Sequence, residues 1–112
     1  MKSVRLNTPL TLEVASKMPD GAGGLSVQWT ALGTLWAQIE AAKGTLAASE
    51  GHAVARRSLT ITVRGAPIGA EDRPQVGQRF RRGAACYSIL SVSEQDPMGQ
   101  YLSCACREEL VP

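Results

Sequence analysis

The chain has 112 residues, a net charge of +2 at pH 7, and 20% charged residues. This length suits one domain with a single core and leaves no room for a second, so we expect 1–112 to form one domain. The near balance of charge argues against a strongly basic nucleic-acid-binding protein. No segment has the composition of a signal peptide or a membrane span, so we expect a protein made in a cytoplasm without membrane contact.

The first predicted element is a strand over Leu10–Val14. Apolar and polar side chains alternate along it, and this period of two is typical of a strand with one buried face. The residues Pro19-Asp20-Gly21 follow, and such a cluster favours a chain reversal. The pattern therefore predicts that the next segment runs back toward the start of the chain.

Both tryptophans lie in the next segment. Large apolar side chains recur in it at intervals of three, four and three: Trp29, Leu32, Trp36 and Ile39. That spacing is compatible with an amphipathic helix, which Gly33 would oppose by only about 1 kcal/mol. The alternative is two strands, 25–30 and 35–41, joined through Leu32-Gly33. The spacing alone does not decide between a helix and two strands.

We expect four large side chains to be core or subunit-interface anchors: Trp29, Trp36, Ile39 and Tyr101. A stacking platform for single-stranded nucleic acid usually has several exposed aromatic rings beside basic groups. The chain has only two Trp, two Tyr and one Phe. The tryptophans are therefore better explained by packing against protein.

The composition changes between residues 43 and 57, where small residues dominate. Leu46 and Val54 are the only large apolar side chains there, so the segment has little to bury and is predicted to be a long flexible loop or a marginal helix. Loops longer than about 12–15 residues in a compact domain are usually functional or disordered. His52 lies in this loop without a nearby nucleophile or orienting partner, so it does not indicate a catalytic site.

Strand patterns return in the second half of the chain. Leu59–Arg64 and Tyr101–Cys106 alternate cleanly, and Tyr87–Val92 is rich in β-branched and aromatic residues. The segments 85–93 and 100–109 are predicted to form a hairpin about Asp96-Pro97-Met98-Gly99. Short strands separated by such turns indicate a mainly β protein, a small antiparallel barrel of about six strands.

The closing hairpin carries the cysteines. Cys104 and Cys106 are two residues apart, so on a strand they share one face, which we expect to be buried in the core as free thiols. Two cysteines at this spacing and one distant His fall short of a zinc site in number and geometry. The chain also lacks phosphate-binding glycine motifs. We therefore expect that the protein binds no metal or cofactor and is not an enzyme.

Three arginines fall within four positions: Arg79, Arg81 and Arg82. Arginine pairs well with carboxylate and phosphate groups. The cluster is explained by a solvated strand or a subunit contact, or by contact with DNA. These three side chains are accordingly candidates for binding DNA or a protein partner.

Several short motifs follow one another in a recognisable order: Leu10-Thr11-Leu12-Glu13, Asp20-Gly21-Ala22-Gly23-Gly24, Trp29 before Trp36-Ala37-Gln38-Ile39-Glu40, Ile61-Thr62-Val63-Arg64, and the two strands of the closing hairpin. Together, over roughly residues 4 to 109, they resemble the phage head–tail joining proteins, also called head-closure or stopper proteins. In that family the Trp-Ala-x-Ile motif belongs to a strand of a small barrel. The resemblance therefore favours strands over a helix for residues 25–41.

The resemblance also implies a function. It implies a virion structural protein of a tailed phage or phage-like particle that forms a ring of six or twelve copies between the portal or adaptor and the tail terminator protein. Such a ring closes the DNA-filled head and docks the tail. The loop 43–57 would then face the channel, its DNA or a neighbouring ring, with these contact residues: Lys43, Leu46, Glu50, His52, Arg56 and Arg57. The alternative function is a small OB- or SH3-like barrel that binds nucleic acid through its arginines.

Overall fold

The computed structural model describes residues 3–41 and 57–110, the last of these by its backbone alone. This part of the chain forms six strands and no helix: β1 Thr8–Pro19, β2 Leu25–Ala41, β3 Ser58–Arg64, β4 Arg79–Arg82, β5 Ala85–Glu94 and β6 Tyr101–Leu110. The strands pair antiparallel in the order β1-β2-β3-β6-β5-β4, and β4 pairs back to β1 to close a barrel. The prediction of a small antiparallel barrel is confirmed.

The core is built from the alternating apolar positions. Leu10 and Leu12 of β1 point inward with the apolar face of β3, and all are almost fully buried. Phe80, the only phenylalanine of the chain, is fully buried on β4. Each alternating strand thus places one face on a common core, as the period of two requires.

The strand β2 differs from both sequence alternatives. Residues 25–41 form neither a helix nor two separate strands but one continuous strand of 17 residues. Leu12 pairs with Gly33 and Glu13 with Ala31, so Leu32 is the extra residue of a β-bulge. Gly33 has φ of +148°, a conformation that residues with a Cβ rarely adopt. The bulge offsets the alternation, so that Trp29 and Trp36, seven residues apart, both lie on the outer face, whereas Ile39 packs against the core. The helix-like spacing therefore does not mark one common face.

The closing hairpin turns where the sequence predicts it. The Asp96 carboxylate accepts hydrogen bonds from the backbone N–H groups of Gln100 at 3.2 Å and Tyr101 at 3.1 Å. Gly65, just after β3, passes so close to this turn that an added Cβ would lie 2.0 Å from the carbonyl oxygen of Gly99. The turn is therefore tied to the neighbouring strand as well as to itself.

The strands alternate in direction, which separates the connections between the two ends of the barrel. The β1–β2 turn, the long 65–78 connection and the β5–β6 turn lie at one end. The β4–β5 turn lies at the other. Because β3 and β4 are not neighbours in the sheet, the 65–78 connection crosses from one side of the barrel to the other. It thereby comes close to the middle of β2.

Candidate functional site

Among residues 3–41 and 57–110, the most exposed element is the hairpin formed by the end of β1 and the start of β2. We call residues 14–31 the arm. β4 pairs with β1 only at residues 11–13, and β3 pairs with β2 only at 37–41, so the arm is a two-stranded ribbon beyond the barrel. Every residue from Ala15 to Gln28 is exposed. Three of them are large and apolar: Met18, Leu25 and Val27.

An ion pair at the root of the arm sets its direction. Arg79 Nε of β4 donates a hydrogen bond of 2.7 Å to Glu13 Oε1 of β1, and the two side chains are only 16% and 9% exposed. The Arg79 guanidinium also lies 4.0 Å from the ring centroid of Trp29 on β2, within the range of a cation–π interaction. The contacts join three strands where the arm leaves the barrel. The arm is therefore held at its root, whereas residues 15–28 beyond it are exposed.

A groove opens beside the point where β2 leaves β3. We call it the Trp36 groove; its volume is about 390 Å³ and its lining residues are Leu6, Thr34, Leu35, Trp36, Arg64, Gly65 and Asp72. The Trp36 side chain is 56% exposed. Among the described residues, no strand pairs with this edge of β2 between Leu25 and Trp36. The groove thus combines an exposed indole, one charge of each sign and unpaired strand backbone.

The four expected anchors fall in different places. Ile39 is partly buried and packs against the core cluster. Trp29 is partly buried on the outer face through its contact with Arg79, and Tyr101 is partly buried beside the Asp96 turn. Trp36 points outward, because β2 alternates about the fully buried Ala37. Of the two roles expected for Trp36, the core is excluded and the subunit interface stays a prediction.

The three clustered arginines do not act as one patch. Arg79 is held by Glu13 and is largely buried. Arg81 lies 3.9 Å from the same carboxylate, and its Nε donates a 3.0 Å hydrogen bond to the carbonyl oxygen of Gly83 in the β4–β5 turn. Arg82 is exposed at the same turn. Contact with DNA or a partner thus stays a prediction for Arg81 and Arg82. Arg79 is instead occupied by its ion pair with Glu13.

Most of the predicted channel loop lies outside the described residues, namely Lys43, Leu46, Glu50, His52 and Arg56. Arg57 is described. Its Nε lies 2.8 Å from Glu108 Oε1, and this hydrogen bond holds the pKa of Glu108 below its usual value. The backbone N–H of Glu108 also donates to the Arg57 carbonyl at 2.8 Å. Arg57 is thereby fixed to β6 at the start of β3.

All three cysteines are buried, and for Cys104 and Cys106 the alternation predicts this. Cys86, Cys104 and Cys106 are free thiols that are at most 2% exposed. Burial raises the pKa of Cys104 to about 12 and raises that of Cys106 as well. Cys86 pairs in register with Glu109, whereas Cys104 pairs with Val92, so the two thiols are not opposite each other. The thiols serve as core side chains.

No group of three or more His, Cys, Asp or Glu side chains that could hold a metal ion occurs among residues 3–41 and 57–110. In the same ranges, no helix has the length and hydropathy needed to cross a membrane. The described surface features that stand out are therefore the arm, its ion-paired root and the Trp36 groove. All three are suited to contact with protein.

Sequence reasoning missed the residues that organise this surface. Glu13 reads as an ordinary outward side chain on an alternating strand, and its partner Arg79 is 66 positions away. Asp72 and Arg64 lie in different elements and meet at the groove only through the 65–78 connection. The signal available in the sequence was the presence of Met18, Leu25 and Val27 on either side of the turn, because a solvated hairpin does not need large apolar side chains.

Comparison with known proteins places this surface in context. The family model described as phage head completion protein matches residues 1–109. A chain in the solved structure "Virion of native gene transfer agent (GTA) particle" is 46% identical to this one, with 96% of this chain and 98% of that chain covered and a TM-score of 0.79. None of the curated proteins compared with the chain matches it significantly.

Proposed function

The chain belongs to the phage head completion protein family, and we propose that it forms a ring between the portal or adaptor and the tail of its particle. It is a structural protein of a virion or phage-like particle. In the proposed role, six or twelve copies close the DNA-filled head and present a platform to the tail terminator protein. The family is a structural one, which supports a role in assembly.

The observation that carries this proposal is the extent of the similarity. At 46% identity over 96% of the chain, the similarity to a chain of the gene transfer agent virion includes both the barrel and the arm. The exposed arm and the exposed Trp36 support the ring. Exposed apolar patches on a small domain commonly mark surfaces that other protein subunits cover. A ring built by rotation also needs two different contact surfaces on each copy, and the arm and the groove are two such surfaces.

Both ends of the barrel carry charges of each sign, with a small excess of basic side chains at one end and of acidic side chains at the other. The half of the barrel with the β4–β5 turn has four basic and three acidic side chains: Arg57, Arg81, Arg82 and Arg107, with Glu40, Glu108 and Glu109. The opposite half, with the arm and the 65–78 connection, has five acidic and three basic ones: Asp20, Glu71, Asp72, Glu94 and Asp96, with Lys17, Arg64 and Arg73. A basic surface attracts phosphate or carboxylate groups. We propose that the basic end faces packaged DNA or an acidic surface of the adjoining ring.

The resemblance-based prediction for residues 43–57 is retained as part of this proposal. These residues connect β2 to β3 and therefore depart from the basic end of the barrel. Lys43, Arg56 and Arg57 add positive charge to that connection, and Glu50 is its one acidic residue. Such a segment suits contact with DNA in the channel or with acidic groups of a neighbouring ring.

Complementation tests the proposed function. A producing strain that lacks this protein should yield filled heads that lose DNA and bear no tails, and the protein supplied in trans should restore complete particles. Negative-stain imaging and gel filtration of the purified chain would look for the ring. A monomer with salt-sensitive affinity for DNA, together with normal particles from the deleted strain, would favour the nucleic-acid-binding barrel instead.

A further inference from the structure

We propose that the arm of one copy lies in the Trp36 groove of the next copy, and that this single repeated contact builds the ring. The inference deepens the proposed function and rests on it, since it names the occupant of the groove as a second copy of this chain. The contact is heterologous, because two different surfaces of the chain meet. Repeated by rotation, such a contact closes into a ring.

The arm requires a cover. A two-stranded hairpin is marginally stable by itself in water, and here its apolar residues are exposed: Leu25 is 66% exposed, Val27 52% and Met18 45%. The outer edge of each of its strands also has unpaired backbone groups, an arrangement that favours addition of another strand. The ion pair at its root keeps the arm extended from the barrel. An extended, oriented and uncovered ribbon is suited to a protein partner.

The groove matches the arm in chemistry. It offers the half-exposed indole of Trp36 with Leu6 and Leu35 for apolar contact, and the unpaired edge of β2 for backbone hydrogen bonds. The arm carries Lys17 and, at its tip, Asp20, whereas the groove carries Asp72 and Arg64. Each surface thus presents one charge of each sign to the other. Complementary charges steer association and fix register.

The dimensions and the placement also agree. Six residues of strand beyond the root give the arm a reach of about 20 Å at about 3.3 Å per residue. The smallest extent of the molecule is 22 Å, so an arm reaches most of the way across one neighbour in that direction. Within one copy, the groove lies next to the root of the arm, because both include residues of β2. Successive copies would therefore overlap in one direction, each arm ending at the root of the next.

Cysteine cross-linking in the full chain tests this contact, because the three native thiols are buried. Under mild oxidation of assembled particles, Lys17→Cys combined with Asp72→Cys should produce a ladder of covalent multimers of this chain. The control Lys17→Cys with Val76→Cys, whose second site is exposed on the same connection but outside the groove, should produce none.

Complete particles that contain the ring but yield no ladder would overturn the arm-in-groove contact and leave the proposed function standing. A cross-link from residue 17 to a different virion protein would show that the arm contacts that protein and not a second copy of this chain. If the deleted strain makes complete particles, the proposed function itself fails.

A matched pair of substitutions tests the apolar part of the contact. Val27→Glu on the arm should abolish incorporation into particles, whereas Val76→Glu, at a similarly exposed valine, should leave incorporation unchanged. Both variants should keep the melting temperature of the isolated chain, because neither side chain is buried. Normal incorporation of Val27→Glu, or equal loss for both variants, would contradict the assigned contact.

Discussion

The root of the arm provides the sharpest prediction of stability. Glu13 and Arg79 form an ion pair of 2.7 Å that is almost fully buried, whereas Glu108 and Arg57 form one of 2.8 Å that is largely exposed. The two pairs share residue types, although Arg57 also donates from Nη2 to Glu108 Oε2 at 3.1 Å. Their side chains differ in burial, with exposed fractions of 16% and 9% for Arg79 and Glu13 against 65% and 20% for Arg57 and Glu108. Glu13→Gln leaves the buried guanidinium without a countercharge, and Glu108→Gln is the matched control. Their comparison tests whether the more buried pair contributes more to stability.

The expected magnitudes follow from that difference. Removing one partner of a buried ion pair costs about 3–5 kcal/mol, and glutamine keeps one oxygen as an acceptor, so we expect about 3 kcal/mol for Glu13→Gln. At about 4 °C per kcal/mol for a domain of this size, the melting temperature should fall by about 12 °C. Glu108→Gln should leave it unchanged within error, since exposed ion pairs contribute little.

The assay is thermal and chemical denaturation of the three proteins, followed by a double variant. Glu13→Gln with Arg79→Met removes both charges and should be less destabilised than Glu13→Gln alone, because no buried charge is left unpaired. The reasoning is refuted if Glu13→Gln and Glu108→Gln shift the melting temperature equally. It is also refuted if the double variant is the least stable of the series.

Three further predictions concern the core, a turn and the connection after β2. Cys104 and Cys106 should resist alkylation at pH 8 until the chain unfolds, and rapid labelling of the native protein would contradict this. The free energy of unfolding should also fall as the pH rises above about 9, because the native state keeps protons on thiols that the unfolded state releases. Asp96→Ala should lower the free energy of unfolding by about 1–2 kcal/mol through the loss of two backbone hydrogen bonds, measured by urea denaturation, and an unchanged midpoint would show that the turn does not need them. Shortening 43–56 to a Gly-Ser link, with Arg57 kept for its ion pair, should leave the circular dichroism of the barrel unchanged while particles lose DNA or fail to accept tails; normal DNA retention and transfer would remove this segment from the proposed mechanism.

The sequence alone determined those features that depend on neighbouring residues. Alternation along Leu10–Val14, Leu59–Arg64 and Tyr101–Cys106 predicted strands with one buried face, and it also predicted buried cysteines. The Asp96 turn was predictable because its side chain bonds to its own backbone a few residues on. These features hold because side-chain direction along a strand and local capping are set within a few residues.

Only the tertiary structure decided what happens along β2 and at the site. A bulge opposite Leu12 and Glu13 keeps the strand continuous and leaves Trp36 on the outer face, which no periodicity within β2 could reveal. The partner of Glu13 is known only once β4 closes the barrel against β1, since Arg79 is 66 residues away. Register between distant strands results from packing the whole core, and it is this register that leaves the arm uncovered and forms the Trp36 groove.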